Sequence, residues 1–224
     1  MERQPPLREI WAPSLDLVLM AGDPNPRVRL GVALYCFSPP ELLAQLSQDR
    51  ESLVREAVAE NPSAPPGVLV DLARSHDGPL RWRVASNPSA PGAALAQLGG
   101  DSDTAVRWKV ATNPATPPAV LALLGRDSVE SVRAAVAKNE TTPPEVLDTL
   151  AASGETPVRL RVARNTQALA ETLGRLSGDS ELAVRCAVAS NPATPWRVLR
   201  ELAADPAQEV RQAVSERREG STST

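Results

Sequence analysis

Few residues in this chain have side chains that commonly carry out catalysis. His76 is the single histidine, so a serine or cysteine nucleophile would have only this imidazole as its base. It lies in the run Ser75-His76-Asp77, and no Ser, Cys or Asp placement singles it out. Cys36 and Cys186 are 150 residues apart, which is the spacing of neither a disulfide framework nor a zinc site. We therefore expect no enzymatic activity, no metal and no cofactor.

Arginine and asparagine, by contrast, recur at a fixed spacing. A Val-Arg or Leu-Arg pair begins every 26 residues, and we number each repeat from its Val or Leu. Position 2 is arginine in eight copies: Arg29, Arg55, Arg81, Arg107, Arg133, Arg159, Arg185 and Arg211. Position 8 is asparagine in six copies: Asn61, Asn87, Asn113, Asn139, Asn165 and Asn191. The chain is therefore a repeat protein with one register.

Composition and charge restrict the classes of partner and compartment. The chain has 224 residues, 22 of them proline, with only 4 Trp, 1 Tyr and 1 Phe. Its longest apolar run, near Leu15 to Ala21, is too short to span a bilayer, and no signal peptide is evident. A net charge of −3 disfavours general nucleic-acid binding. Two distant cysteines suit a reducing cytoplasm, so we expect a cytoplasmic protein without a membrane partner.

Each repeat predicts two short helices. The first is expected to open at an aspartate N-cap, as at Asp101, and to stop at Asn-Pro, because proline disfavours helix for the residue before it. The second opens at the proline of position 12 and carries leucine at positions 16 and 19 on one face. The predicted fold class is all-α, a right-handed α-solenoid of 26-residue two-helix repeats.

The run VRWKVATNPATPPAVLALL, from Val106 to Leu124, resembles the leucine-rich repeat variant family. The resemblance covers residues 13–215 and implies alternating α- and 3₁₀-helices without strands, and the Asp-x5-Arg spacing also resembles HEAT repeats. The best-known form of that family carries an N-terminal iron–sulfur cluster, but this N-terminal region has only Cys36. We expect a capping half-repeat at 1–27, seven repeats at 28–209, and a partial repeat with a disordered tail at 210–224, the disorder beginning at residue 216.

The repeated polar residues have structural and functional interpretations. At 100° per residue, position 2 lies inside the face formed by the Val, Val and Ala of positions 1, 5 and 6. We therefore predict an Asp–Arg ladder between neighbouring repeats, bidentate and partly buried, in preference to a row of phosphate-binding arginines. The asparagines are expected to hydrogen-bond the backbone in the turn between helices. Both series are thus predicted to be structural.

A candidate binding surface lies at positions 3, 4 and 7 of the first helices, away from the Val/Ala face. Trp82 and Trp108 occupy position 3 in adjacent repeats, and basic residues accompany them. The candidate partner-binding residues are Trp82, Arg83, Trp108, Lys109, Arg161 and Arg164, with Lys138 beside them. The favoured function is a scaffold binding a protein or peptide there, and the alternative is a nucleic-acid-binding superhelix using Trp, Arg and Lys of repeats 3–6. The other interpretation of the two rings is that they pack against the preceding loop or form a self-association surface.

Overall fold

The computed structural model describes residues 15–220, with side chains from residue 16 to residue 217. Every regular element in this range is an α-helix, and the helices alternate between two lengths. The first helices of the pairs, nine residues long except for the last, are α2 (Pro26–Leu34), α4 (Ser52–Glu60), α6 (Gly78–Ser86), α8 (Thr104–Thr112), α10 (Glu130–Lys138), α12 (Thr156–Arg164), α14 (Leu182–Ser190) and α16 (Gln208–Gly220). The second helices, seven residues each, are α1 (Leu15–Ala21), α3 (Pro40–Leu46), α5 (Pro66–Leu72), α7 (Gly92–Leu98), α9 (Pro118–Leu124), α11 (Pro144–Leu150), α13 (Ala170–Leu176) and α15 (Trp196–Leu202).

The helices form two compact units, Met1–Lys109 and Val110–Thr224. In the first unit α1 packs on α2, α2 on α4 and α4 on α6. In the second unit α10 packs on α12, α12 on α14 and α14 on α16. Within each unit these first helices therefore lie against the first helix of the next repeat, and the fold class is the all-α solenoid that the repeat predicts. Both helices of each pair are α-helical, so the described residues do not show the expected 3₁₀ form.

The core of each unit consists of small aliphatic side chains in register. Positions 1 and 5 bury valine or leucine and position 6 buries alanine, as at Leu80, Val84 and Ala85. The two leucines of the second helix are also buried, as at Leu95 and Leu98. Because every repeat contributes a similar small set, each layer of the core is thin. The layers need few aromatic rings to fill them.

The aspartates expected as N-caps from the sequence, such as Asp101 and Asp179, do not cap the first helices, which corrects that expectation. Helix α14 begins at Leu182, with Glu181 as its N-cap and no side-chain hydrogen bond from that cap. Asp179 lies two residues before the cap, where its Oδ1 accepts the Glu181 N–H at 2.9 Å. The carboxylate therefore shapes the turn before the helix, and its other oxygen stays available to an arginine.

The repeat tolerates the loss of its prolines in the sixth copy. Residues Asn165 to Leu169 lack both prolines, yet α13 begins after Leu169, which has an extended φ of −63° and ψ of 150°. The turn keeps its backbone hydrogen bond from the Ala168 N–H to the Asn165 carbonyl. Asparagine and the packing of the neighbouring repeats thus hold this turn in the absence of proline.

The ends of the chain differ partly from expectation. Helix α16 continues to Gly220, so residues 216–220 are helical where disorder was predicted. Residues 221–224 and the first half of the predicted N-terminal cap, residues 1–14 with Pro13, lie outside the described residues. From residue 15 the cap consists of α1, the turn after it and the start of α2.

Candidate partner-binding surface

The first helices are held in place by the arginines of position 2. Arg29 donates from Nη1 to the carbonyl of Asp23 in its own repeat, at 2.7 Å. It also donates from Nε and Nη2 to both carboxylate oxygens of Asp49, at 2.6 and 2.9 Å. The side chains of Arg29 and Asp49 are only 7% and 6% exposed. One guanidinium therefore joins its own turn to the turn of the following repeat.

This pattern recurs with the same separation of 20 residues. The equivalent two-point pairs are Arg81 with Asp101, Arg159 with Asp179 and Arg185 with Asp205. The residue 20 positions after Arg133 is Ser153 in place of aspartate. Arg133 therefore pairs with Glu155, at 2.7 Å. The aspartate six residues upstream contributes its backbone carbonyl, as Asp101 does to Arg107 at 2.7 Å. The carboxylate partner lies in the following repeat.

The ion pairs shift the titration of the aspartates. The Arg29 guanidinium and the Glu51 N–H hold the pKa of Asp49 below its ordinary value, against the opposing effect of burial. The Arg159 hydrogen bond lowers the pKa of Asp179 in the same way. Burial raises the pKa of Asp101, but the Arg81 side chain and the Asp103 N–H outweigh it and the net shift is downward. These carboxylates are thus ionised at neutral pH.

The asparagines of position 8 form a second ladder. Asn87 donates from Nδ2 to the carbonyls of Ala59 and Asn61 in the preceding repeat, at 2.8 and 3.0 Å. Its Oδ1 accepts the Ser89 N–H at 2.8 Å, within its own turn. The same donations are made by Asn61, Asn139, Asn165 and Asn191. Each asparagine therefore satisfies buried carbonyls of the neighbouring repeat as well as its own turn.

A third repeated contact was not foreseen from the sequence. Position 11 is a buried Ser or Thr in four repeats, and its hydroxyl donates to the carbonyl of position 5 in the same repeat. The donors are Ser38, Thr116, Thr142 and Thr194, each at 2.6 Å from the carbonyl oxygen. The signal was present as a Ser/Thr preference at one repeat position, just before the second helix.

Positions 3, 4 and 7 of the first helices form a surface that we call the first-helix stripe. Position 4 is buried where it is alanine, as at Ala135. In the first unit, Trp82 lies on α6 and Trp108 on α8, and Lys109 lies between their rings. The Lys109 ammonium is 4.5 Å from the Trp82 ring centroid and 5.4 Å from that of Trp108. Trp108 is 39% exposed, whereas Trp82 is half-buried. A cation held over two aromatic faces is favourable and orders the lysine side chain.

Acidic residues of the preceding repeat complete this cluster. The Arg83 guanidinium carbon is 5.4 Å from the Trp82 ring centroid. Its Nε lies 3.4 Å from an oxygen of Glu56, and its Nη1 forms an ion pair with Glu60. Glu56 and Glu60 lie 27 and 23 residues before Arg83, and neither was predicted from the sequence to belong to this surface. The Arg83 charge is thus largely balanced within the chain.

The structure brings Trp82, Arg83, Lys109 and Trp108 together. Arg161 and Arg164 belong to the second unit, where both are exposed on α12. His76 is exposed in the turn before α6. The side chains described, from residue 16 to residue 217, hold no group of three or more His, Cys, Asp or Glu placed to bind a metal ion. No helix among them has the length and apolarity to cross a membrane.

The cysteine content does not fit the iron–sulfur cluster of the resembling family. Such a cluster takes about four thiolate ligands. This chain has two cysteines, Cys36 and Cys186, and both are free thiols. The donor set is therefore too small.

The stacked helix pairs and their two ladders define a protein of the helical-repeat class. A family model described as "Leucine rich repeat variant" matches residues 182–207. A solved structure described as "a leucine-rich repeat variant with a novel repetitive protein structural motif" is 32% identical, over 89% of this chain and 79% of that chain, with a TM-score of 0.64. The chain belongs to the leucine-rich repeat variant family.

Two other solved structures are similar at low identity. A designed armadillo repeat protein is 14% identical over 89% of this chain and 96% of that chain, with a TM-score of 0.31. An archaeal HEAT-like repeats protein from Thermococcus onnurineus NA1 is 11% identical over 90% of this chain and 94% of that chain, with a TM-score of 0.32. No curated protein matches the chain.

Proposed function

We propose that this chain is a non-enzymatic scaffold that binds a partner protein or peptide through the first-helix stripe. The observation that carries the proposal is the Trp82–Lys109–Trp108 cluster, with Trp108 39% exposed. Tryptophan is among the residues that contribute most to the binding energy of protein interfaces, because its large ring buries much apolar area on contact. The free thiols of Cys36 and Cys186 favour the reducing cytoplasm as its compartment.

Preorganisation supports this function. Within each unit, arginine and asparagine ladders tie neighbouring repeats together, so the backbone under the stripe is held before a partner arrives. Lys109 is already packed against Trp82 and Trp108 in the unbound chain. A partner would therefore order few additional side chains on this surface, which lowers the entropic cost of binding.

The acidic residues of the stripe favour a protein partner over a nucleic acid. Glu56 and Glu60 neutralise Arg83 beside Trp82, where a phosphate backbone would require positive charge. The whole chain carries a formal net charge of −3. The stripe carries acidic, basic and aromatic side chains. A peptide with mixed polar and apolar side chains complements these groups better than a polyanion does.

The test is selection of peptides on the full chain followed by titration of variants. A random peptide library would be panned on the wild type, and selected peptides would be titrated by fluorescence anisotropy. We expect Trp82→Ala/Trp108→Ala to weaken binding at least tenfold, since hot-spot truncations cost about 2 kcal/mol or more. Trp196→Ala, which removes a ring that is 55% exposed on a second helix, is the matched control and should bind as the wild type does.

Two results would overturn this function. Equal affinity of wild type and the Trp82→Ala/Trp108→Ala variant for every selected peptide would remove the stripe as the site. Tighter binding of a single-stranded oligonucleotide than of any peptide, with affinity falling steeply as salt rises, would establish the nucleic-acid alternative.

A further inference from the structure

The first-helix stripe of the second unit carries three cations. Lys138 ends α10, and Arg161 and Arg164 lie at positions 4 and 7 of α12. All three are exposed, and none forms a hydrogen bond or an ion pair with another residue of the described chain. Positions 3, 4 and 7 of α10, α12 and α14 include no Asp or Glu. This part of the stripe is therefore positive in a chain whose formal net charge is −3.

The first unit shows what the repeat does when such an arginine is balanced internally. Arg83 occupies the position equivalent to Arg161, three repeats earlier, and it is paired with Glu60. The residue equivalent to Glu60 is Lys138, and the residue equivalent to Glu56 is Ala134. The second unit thus replaces an acidic neighbour with a basic one. Two like charges on packed helices repel each other, and an anion bound between them relieves that repulsion.

A groove opens beside Arg164. It has a volume of about 500 Å³ and is lined by Arg164 together with Ala183, Cys186, Ala187 and Ser190 of α14. The space exists because position 4 is Ala187, where α8 and α12 carry the long side chains of Lys109 and Arg161. The groove is open to solvent, and its alanine and cysteine side chains lie beside the polar Ser190 and Asn191.

The groove floor is uncharged at neutral pH. Burial, reinforced by the nearby carboxylate of Glu209, raises the pKa of the Cys186 thiol. The thiol therefore remains protonated at pH 7. Positive charge is confined to the Arg164 edge and to the neighbouring Arg161 and Lys138, while Glu209 limits it near α16.

We propose that Lys138, Arg161, Arg164 and the adjoining groove bind an acidic peptide segment of the partner. Its carboxylates pair with the three cations, and a small apolar side chain occupies the groove over Cys186. The inference rests on the proposed peptide-binding function and names the chemical class of the segment bound. Arginine suits this role because its planar guanidinium donates hydrogen bonds to both oxygens of a carboxylate.

A peptide fits this surface better than a nucleic acid does. Position 3 of α10, α12 and α14 is Ala134, Leu160 and Cys186, so no aromatic ring is offered for base stacking. The groove floor of alanine and cysteine suits an aliphatic side chain of an extended peptide. Both features separate this surface from an electrostatic channel for a polyanion.

The experiment uses the full chain and a defined probe. A fluorescein-labelled decapeptide of alternating Glu and Ala is titrated by fluorescence anisotropy, with the Gln-for-Glu peptide as the uncharged control. The test variant is Lys138→Gln/Arg161→Gln/Arg164→Gln. The matched control is Arg126→Gln/Arg197→Gln/Arg200→Gln, which removes the same charge from exposed residues of the second unit outside the stripe. Circular dichroism establishes that both variants remain helical.

A second readout locates the bound peptide. In a Cys36→Ser background, Cys186 is the one remaining cysteine, and its rate of alkylation by iodoacetamide reports access to the groove. The acidic peptide is expected to slow alkylation of Cys186 severalfold, and the Gln-for-Glu peptide is expected to leave it unchanged. An unchanged rate in the presence of saturating acidic peptide would contradict occupancy of the groove.

The peptide affinities of the two variants test whether the three cations bind the acidic peptide. We expect the stripe variant to bind the acidic peptide about tenfold more weakly than wild type, since three exposed ion pairs together are worth about that factor. The charge-matched control should lose less than threefold. Equal losses in the two variants, or tighter binding of a single-stranded oligonucleotide of equal charge, would overturn the inference. If panned peptides still require Trp82 and Trp108, the proposed function stands and only the acidic-segment assignment fails.

Discussion

Arg81 and Asp101 form a two-point ion pair between neighbouring repeats, with Nε to Oδ2 at 2.6 Å and Nη2 to Oδ1 at 3.0 Å. The same guanidinium donates from Nη1 to the Ser75 carbonyl at 2.9 Å, in its own repeat. The aspartate side chain is 6% exposed and that of the arginine is 17% exposed. A pair this sheltered couples two turns that the helices alone would leave connected only through the core.

The first prediction is a measurable coupling energy for this pair. In a double-mutant cycle of Arg81→Ala and Asp101→Ala, each single variant should lower the free energy of unfolding by about 2 kcal/mol, because a sheltered charged partner is left unpaired. The coupling energy should be about 1–2 kcal/mol by urea denaturation. The control cycle is Arg74 with Asp71, an i,i+3 pair whose side chains are 64% and 67% exposed. Its coupling should stay below about 0.5 kcal/mol, and equal values in the two cycles would contradict a structural ladder.

The second prediction concerns acid sensitivity. The pKa values of Asp49, Asp101, Asp179 and Asp205 are lowered in the folded chain. The unfolded state therefore binds these protons more tightly, so the stabilisation is complete above the unfolded pKa of about 3.9 and is lost as pH falls through the folded values. Thermal melts from pH 7 to pH 2 should show a Tm that is level near neutrality and declines below about pH 4. The decline should be shallower in Asp101→Asn, and an identical pH profile would show that Asp101 contributes nothing to it.

The third prediction tests the asparagine ladder. Asn165 donates to the carbonyls of Ala137 and Asn139 at 2.9 and 3.0 Å, and its Oδ1 accepts the Gln167 N–H. Asn165→Ala removes these bonds and leaves buried carbonyls without a donor, so it should cost about 2–4 kcal/mol in urea unfolding. Thr166→Ala, at the exposed neighbouring position, is the control and should change the free energy by less than about 0.5 kcal/mol. A loss for Asn165→Ala no larger than that of the control would rule out the ladder as a stabilising element.

The fourth prediction concerns a substitution that restores the Asn-Pro pair of the repeat in its sixth copy. Asn165 has an extended ψ of 127°, which is the conformation that a following proline requires. Thr166→Pro should therefore stabilise the chain by about 0.4–1 kcal/mol, through lower entropy of the unfolded state. Differential scanning calorimetry would record a raised Tm, with Thr166→Ala as the reference. A lowered Tm would indicate that this turn differs from those of the other repeats.

The fifth prediction concerns the C-terminal end of the asparagine ladder. Arg217 stands at position 8 of the last, partial repeat, and its guanidinium donates to the carbonyls of Asn191 and Pro192. It therefore takes the role that asparagine has elsewhere, although burial lowers the pKa of Arg217. Arg217→Ala should raise amide hydrogen exchange in α16 severalfold while α10 keeps its protection, and Arg217→Asn should restore part of it. Unchanged exchange in α16 would contradict this role.

The helix pairs and their core were predictable because the repeat keeps one register along the chain. A 26-residue period with Val, Ala and Leu at constant positions predicts helix pairs and their core, because periodicity and proline placement act locally. The expectation that Asp179 caps its helix was wrong. Its carboxylate accepts hydrogen bonds from Arg159 of the preceding repeat and from the Glu181 N–H in the turn before the helix. Sequence distance alone does not distinguish a partner six residues upstream from one 20 residues downstream.

The candidate surface was likewise predictable only in part from the sequence. The 26-residue repeat alone is enough to predict that Trp82 and Trp108 share a repeat position. It also predicts that the basic residues of the stripe lie on the same face of their helices: Arg83, Lys109, Arg161 and Arg164. Three features depend on the packing of the repeats: Lys109 lies between the two rings, Glu60 balances Arg83, and a groove opens beside Arg164. These outcomes depend on which side chains of adjacent repeats meet, on their lengths and on their exposure. Helical periodicity specifies the face of a residue, whereas its neighbour across the helix–helix contact is specified only by packing.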